Sequence, residues 1–358
     1  MRCNEYRFCE FRTRNWSHKV RSPRLAQYVI LLVILAIGSI AAAAQCDVYI
    51  PGRESDAAYV LNSVTDGTAA IVPVGHGPWA AALTPNGAFV YVTNTNRANG
   101  LVVSNSVSVI DTTAYQVVAT VAVGTYPVGV AVTPNGASAY VTNYVSNDVS
   151  VINTSTNTVT NVIATGLNPW GVTITPNGAF AFVTDYGSNN VMVINTATNT
   201  VAATVPVGTG PNAVAITPDG NFAYVSNSVS KNVSVIDTTS NTVVSTVPVN
   251  GPRAVAITPN GNFAYVVDDG TDYPTSGEVT VINVATNTPM TTVSVGGSPR
   301  GVAITPDGAL AYVASYTGDV SVIDISTNTV VDTVHAVSVT DEGGGVAIRP
   351  DTSSPKCR

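Results

Sequence analysis

A four-residue turn, Thr-Pro-Asn/Asp-Gly, begins at Thr84, Thr133, Thr175, Thr217, Thr258 and Thr305, with a degenerate copy at Arg349-Pro350-Asp351. Successive starts lie 49, 42, 42, 41, 47 and 44 residues apart. A spacing near 40 residues marks a repeat architecture, because one such unit has too little core to bury its own apolar face. Proline presets φ at the second turn position, Asn or Asp tolerates the third, and glycine supplies the positive φ that closes a hairpin. In the unit Asn212 to Gly251, apolar runs flank this turn at Ala213 to Thr217 and Phe222 to Ser226, followed by Val233 to Asp237 and Val243 to Val249. Alternation in Val233-Ser234-Val235-Ile236-Asp237 and a second turn at Ser240-Asn241-Thr242 predict four short antiparallel strands per unit, the blade of a β-propeller.

Six units run complete from Trp79 to about Val334, and Gly345 to Arg349 supplies only the first strand of a seventh. Val48 to Pro51, Ala57 to Asn62 and Ala69 to Gly75 align with the missing second to fourth strands. The expected fold is therefore all-β: a seven-bladed propeller of four-stranded antiparallel blades, whose closing blade takes three strands from the N-terminus and one from the C-terminus.

The quartets Tyr91-Val92-Thr93-Asn94 and Tyr140-Val141-Thr142-Asn143 carry a family resemblance. Looser copies stand at Phe182-Val183-Thr184-Asp185, Tyr224-Val225-Ser226-Asn227, Tyr265-Val266-Val267-Asp268 and Tyr312-Val313-Ala314-Ser315. With Val-Ser-Val-Ile-Asp/Asn and Thr-Asn-Thr-Val downstream, residues 46 to 351 resemble the YVTN family of β-propeller repeats. That resemblance implies the propeller scaffold, and members of the family occur as cell-surface or surface-layer proteins and as soluble periplasmic ones. A scaffold of this kind hosts many functions, so function has to be read from the positions where the copies differ.

Residues 1 to 24 hold seven Lys or Arg against two Glu and precede an apolar run from Tyr28 to Ala44 that ends in Ala42-Ala43-Ala44. This is the pattern of a secretory signal peptide cleaved near Ala44, with an uncleaved signal anchor as the alternative. Gln45 before Cys46 argues against lipidation. Without residues 1 to 44 the charged residues fall from 15 to 8 positive and from 22 to 20 negative, taking the net charge from −7 to −12. An acidic chain repels phosphate backbones, so nucleic acid is an unfavoured partner. A monomer in an extracytoplasmic compartment is expected, and Cys46 and Cys357, which flank the split blade, are expected to form a disulfide.

The Thr-Pro-Asn/Asp-Gly and Thr-Asn-Thr turns fall on one face of the ring and are nearly uniform. Length variation falls on the other, connector face, at Thr95 to Ser106, Asp269 to Gly277 and His335 to Gly344. Insertions gathered on one face commonly mark the binding face of a repeat protein. The connectors read Val-Gly-x-x-Pro-x-Gly/Ala-Val, and the residue after proline is Trp79, Val128, Trp170, Asn212, Arg253, Arg300 and, at the closing blade, Gly344. These positions should ring the mouth of the central channel, where tryptophan offers a stacking surface and arginine bidentate anion recognition.

Catalytic signatures are sparse: the sequence has no Gly-x-Ser-x-Gly elbow, no Cys-x-x-Cys and no metal-binding histidine motif. His76, His335 and Glu342 lack metal-ligand spacing, so no metal site is expected. The stretch Asp268-Asp269-Gly270-Thr271-Asp272 with Glu278 resembles a calcium loop in composition but lacks EF-hand spacing, so calcium is the one cofactor the sequence leaves open. Propeller lactonases and lyases use dispersed residues, and here Asp185, Asp268, His76, Arg253 and Arg300 are the available set. The leading expectation is a binding propeller that takes a small anionic, glycan or peptide ligand, or a protein partner, at the connector-face funnel. The alternatives are a structural envelope protein and a lactonase-like or lyase-like enzyme.

Overall fold

The computed structural model describes residues 47–53, 55–62, 67–95, 97–98, 101–102, 104–268, 277–316, 318–335 and 346–348. The expected signal segment, the Cys46–Cys357 pair, Glu342, Gly344 and the acidic stretch Asp269 to Asp272 lie outside the described residues, as does the side chain of His335. Among the described residues no helix is long and apolar enough to cross a membrane.

Seven four-stranded antiparallel sheets follow one another around a ring. Blade 3 is typical: Pro169–Ile174 is innermost, followed outward by Phe180–Asp185, Asn190–Asn195 and Thr200–Pro206. The innermost strands of blades 1 and 2, Pro78–Leu83 and Pro127–Val132, touch each other, and those of blades 4, 5 and 6, Pro211–Ile216, Pro252–Ile257 and Pro299–Ile304, continue the series. The closing blade joins Ala347–Ile348 to Asp47–Gly52, Ala57–Asn62 and Gly67–Pro73, the three-plus-one division read from the sequence. Within the blade 1 insertion, Arg97–Ala98 and Leu101–Val102 form a small extra ribbon.

Burial follows strand position. Second and third strands are almost fully buried on both faces, whereas fourth strands expose Val118, Val162, Val201, Val244 and Val331. The core is divided among the blade interfaces. Val107, Val109 and Tyr91 of blade 1 pack with Val130, Val141 and Ile152 of blade 2, and equivalent clusters fill the other six interfaces, including that between blade 6 and the closing blade.

The recurring quartet has a physical reading at each letter. Its tyrosine hydroxyl donates to an asparagine in the outer turn of the next blade: Tyr91 to Asn157 at 2.8 Å, and Tyr140 to Asn199, Tyr224 to Asn287 and Tyr265 to Asn328 at 2.5 Å. Each of those asparagines sits at positive φ, between 52° and 54°, a region that Asn tolerates better than most residues. The quartet's asparagine donates to a buried serine on the third strand, as Asn94 does to Ser108 (3.0 Å), Asn143 to Ser150 (2.9 Å) and Asn227 to Ser234 (2.9 Å). In the Thr-Pro-Asn-Gly turn, Thr84 Oγ1 donates to Asn86 Oδ1 (2.7 Å) and accepts from Phe89 N–H (3.0 Å), while Gly87 takes φ 66°.

Candidate functional site

The third letter of the quartet builds the mouth of the channel. Between the first and second strands the register slips just after the connector proline: Pro169 faces Asp185, but Val172 faces Val183, so Trp170 and Gly171 share the place of one residue. The same bulge follows Pro78, Pro127, Pro211, Pro252 and Pro299. A β-bulge re-aims the side chain it carries, and here the re-aimed residues are Trp79, Val128, Trp170, Asn212, Arg253 and Arg300.

The quartet's hydroxyl then fixes that bulge. Thr142 Oγ1 accepts from Gly129 N–H (2.8 Å) and donates to the Trp170 carbonyl of the next blade (2.6 Å). Thr184 likewise accepts from Gly171 N–H (2.8 Å) and donates to the Asn212 carbonyl (2.7 Å). Thr93 reaches the Val128 carbonyl and Ser226 the Arg253 carbonyl, at 2.8 and 3.0 Å. A chain of hydroxyls therefore ties the backbone of Val128, Trp170, Asn212 and Arg253 to the blade before each. Glycine at 129 and 171 is required by closeness: an added Cβ would stand 2.5 Å from the carbonyl oxygen of Trp170 or of Asn212.

Trp79, Val128, Trp170, Asn212, Arg253 and Arg300 all line one cavity of about 400 Å³ over the inner strands. The volume falls within the range of small-molecule sites. Three other residues from the sequence-derived set lie elsewhere. Asp185 and Asp268 end second strands and are buried inside their blades, 0% and 2% exposed, rather than in the lining. The His76 side chain is 59% exposed, and its Nδ1 lies 2.6 Å from Asp56 Oδ2 of the closing blade, whose other oxygen accepts from Gly77 N–H. Among the described residues no group of three His, Cys, Asp or Glu side chains is disposed to hold a metal ion.

Asp185 has an unusual setting. Where blades 1, 2 and 4 carry Ser108, Ser150 and Ser234 on the third strand, two residues along from the one that faces the quartet's last position, blade 3 carries Met192. Asp185 Oδ2 accepts only a 3.2 Å bond from Gly166 N–H, while Oδ1 is buried without a partner. Burial pushes its pKa up to about 7 against the opposing effect of the Gly166 bond.

Sequence reasoning missed the residues that surround the mouth. Trp170 packs near-perpendicular to Trp79 (centroids 5.5 Å, 82°) and to Tyr144 (5.4 Å, 86°), and lies 5.9 Å from Tyr186. Tyr126 adds a fifth ring 5.6 Å from Tyr144, and the Arg53 guanidinium stands 5.0 Å from the Trp79 ring centre. A signal was present: Tyr144 and Tyr186 each follow the quartet directly, and Tyr126 precedes a connector proline.

The sequence profile described as "Lactonase, 7-bladed beta-propeller" matches residues 72–247 and 242–355, which together take in most of the chain. The chain belongs to this lactonase family of seven-bladed propellers. The YVTN-type quartets are thus features of a lactonase-family propeller. No curated protein matches the sequence. Among solved structures, the periplasmic gluconolactonase PpgL of Pseudomonas aeruginosa is similar at 20% identity and TM-score 0.69, covering 85% of this chain and 99% of that one. A functionally unknown protein from Desulfotomaculum acetoxidans is similar at 19% identity and TM-score 0.72, covering 84% and 98%. Hydrazine synthase of Kuenenia stuttgartiensis is similar at 26% identity and TM-score 0.61, covering 70% and 77%.

Proposed function

We propose that this lactonase-family propeller is an extracytoplasmic protein that holds a small anionic ligand in its connector-face funnel. The observation that carries the reading is the convergence of Arg253, Arg300, Asn212, Trp79 and Trp170 on one cavity of about 400 Å³. Two guanidiniums on adjacent blades supply paired, charge-assisted donors for a carboxylate or phosphate. Asn212 adds a neutral polar side chain, and the tryptophans supply apolar area at low entropic cost. The signal-like segment before residue 44 and the acidic remainder of the chain support a location outside the cytoplasm.

Lactone hydrolysis is the second reading, and the family match favours it. The arginines suit it: they would stabilise the carboxylate product and the oxyanion that precedes it. Hydrolysis also needs a base for water, and the described residues lining the funnel include neither carboxylate nor imidazole. Binding therefore takes precedence over turnover.

The test is a titration followed by tryptophan fluorescence on chain lacking residues 1 to 44, where Trp79 and Trp170 are the only tryptophans. Sugar acids, sugar lactones and organic phosphates form the panel, with proton release from each lactone recorded in parallel. Saturable quenching that is lost in Arg253→Ala and Arg300→Ala is the expected result. Proton release abolished by the same substitutions would move the assignment to a lactonase. No saturable change with any anion, in a chain that still melts cooperatively, would refute the anion site.

A further inference from the structure

The mouth of the funnel has two unlike halves. Going round the ring, Arg253 stands on blade 5, Arg300 on blade 6 and Arg53 on the closing blade, in the loop between its second and third strands. Then come Trp79 on blade 1, Tyr126 and Tyr144 on blade 2, and Trp170 and Tyr186 on blade 3. Asn212 on blade 4 separates the aromatic arc from the first arginine. Three of the six arginines that follow residue 44 thus occupy consecutive blades, in a region whose net charge is −12. Five rings occupy the opposite blades, joined by centroid distances of 5.4 to 5.9 Å.

Resting on the anion-site reading above, we propose that the funnel selects a conjugated ring bearing two or more acidic groups. The ring would lie against the Trp79–Trp170 wall, and its carboxylates or phosphates on Arg253 and Arg300. Each half carries one part of the inference. Two guanidiniums on neighbouring blades each carry several charge-assisted donors, and an anion with two acidic groups can engage both where a single carboxylate engages one. Trp170 is packed near-perpendicular to Trp79 and Tyr144 and tilted against Tyr186, and Trp79 also lies against the guanidinium of Arg53, so a flat π-face can stack without first ordering the wall. A saturated sugar acid would use the cationic half alone. Arg53 has a distinct role: it links the halves, because the cation that completes the charged arc is also the one seated on the first aromatic ring.

The experiment uses matched pairs with the same charge and different planarity: benzene-1,3,5-tricarboxylate against propane-1,2,3-tricarboxylate, and benzene-1,3-dicarboxylate against pentanedioate. Affinities are measured by calorimetry on the chain and on its Trp170→Leu and Arg253→Gln variants, each checked for cooperative melting. The expected result is that the aromatic member of at least one pair binds at least about tenfold more tightly, and that Trp170→Leu abolishes the difference. Arg253→Gln should weaken both members of that pair. Equal affinity within both pairs, or a difference that survives Trp170→Leu, would overturn the proposal while leaving the anion site standing. If neither member of either pair binds, the anion site fails together with it.

Discussion

Blade 3 breaks the tyrosine pattern, and the break yields a measurable consequence. Phe182, fully buried, stands where blades 1, 2, 4 and 5 place Tyr91, Tyr140, Tyr224 and Tyr265. The partner it would serve is Asn241, in the outer turn of blade 4, whose Oδ1 is buried without a hydrogen bond. Phe182→Tyr should supply the missing donor in a position where four sibling blades already accommodate the hydroxyl. A neutral hydrogen bond contributes ~0.5 to 1.5 kcal/mol, and relieving a buried unsatisfied acceptor adds a cost of similar size. Asn241 also borders a cavity on the turn face, between blades 3 and 4, from which water can reach the site and offset part of that cost. The expected gain is therefore about 1 to 2 kcal/mol, or roughly 2 to 4 °C in Tm for a chain of this size. Urea unfolding followed by fluorescence should show a higher midpoint at unchanged slope. Adding Asn241→Ala should erase the gain, and Tyr140→Phe in the unmodified chain should lose a similar amount. If Phe182→Tyr is neutral or destabilising, or if its gain survives Asn241→Ala, the interblade bond is not the reason for the tyrosine.

Two further outcomes follow from named contacts. Because Asp185 has a folded pKa of about 7, well above its ordinary value, its contribution is fully present below about pH 4 and is lost as pH rises toward and past 7. A shift of that size corresponds to at most about 4 kcal/mol; Asp185→Asn should flatten the fall in urea midpoint between pH 4 and pH 8, and an unchanged slope would refute the assignment. Thr142→Val should strand the Gly129 N–H and release the Trp170 carbonyl, costing about 2 to 3 kcal/mol in urea unfolding. Thr142→Ser, which keeps the hydroxyl as Ser226 does, should cost under about 1 kcal/mol; equal losses in the two variants would mean that packing, not the hydroxyl, matters there.

The scaffold was legible in the sequence because its signals are local and repeated. A Thr-Pro-Asn-Gly turn closes through bonds among its own residues, and one-face alternation on an outer strand is visible within seven residues. The mouth positions were legible for the same reason, since each follows a connector proline. What the sequence withheld is long-range. Asp185 reads as one more polar residue at the end of a quartet, and only the placement of Met192 where other blades carry a serine makes it an isolated buried carboxyl. Arg53 lies 26 positions from Trp79 in a segment with poor repeat character, so its contact with the neighbouring blade is a product of tertiary structure. Tyr144 and Tyr186 were visible as residues, but their convergence on Trp170 depends on two loops and a bulge meeting.

The departures from the repeat also decide which mouth residues have their backbone held by the preceding blade. Hydroxyls from Thr93, Thr142, Thr184 and Ser226 clamp the backbone at Val128, Trp170, Asn212 and Arg253. The next position in that series is Val267, which has no hydroxyl to offer the Arg300 carbonyl, and the one after it is Ala314. The clamped positions therefore take in Trp170 at the centre of the aromatic wall, and the series stops where the second arginine enters. A stacking wall needs fixed ring planes, because a tilted face loses its contact area. A guanidinium reaches its anion through a long side chain and tolerates backbone adjustment. The clamps therefore fix one tryptophan and one arginine, Trp170 and Arg253, whereas Trp79 follows Leu61, which carries no hydroxyl, and is held instead by its ring contact with Trp170 and by the Arg53 guanidinium.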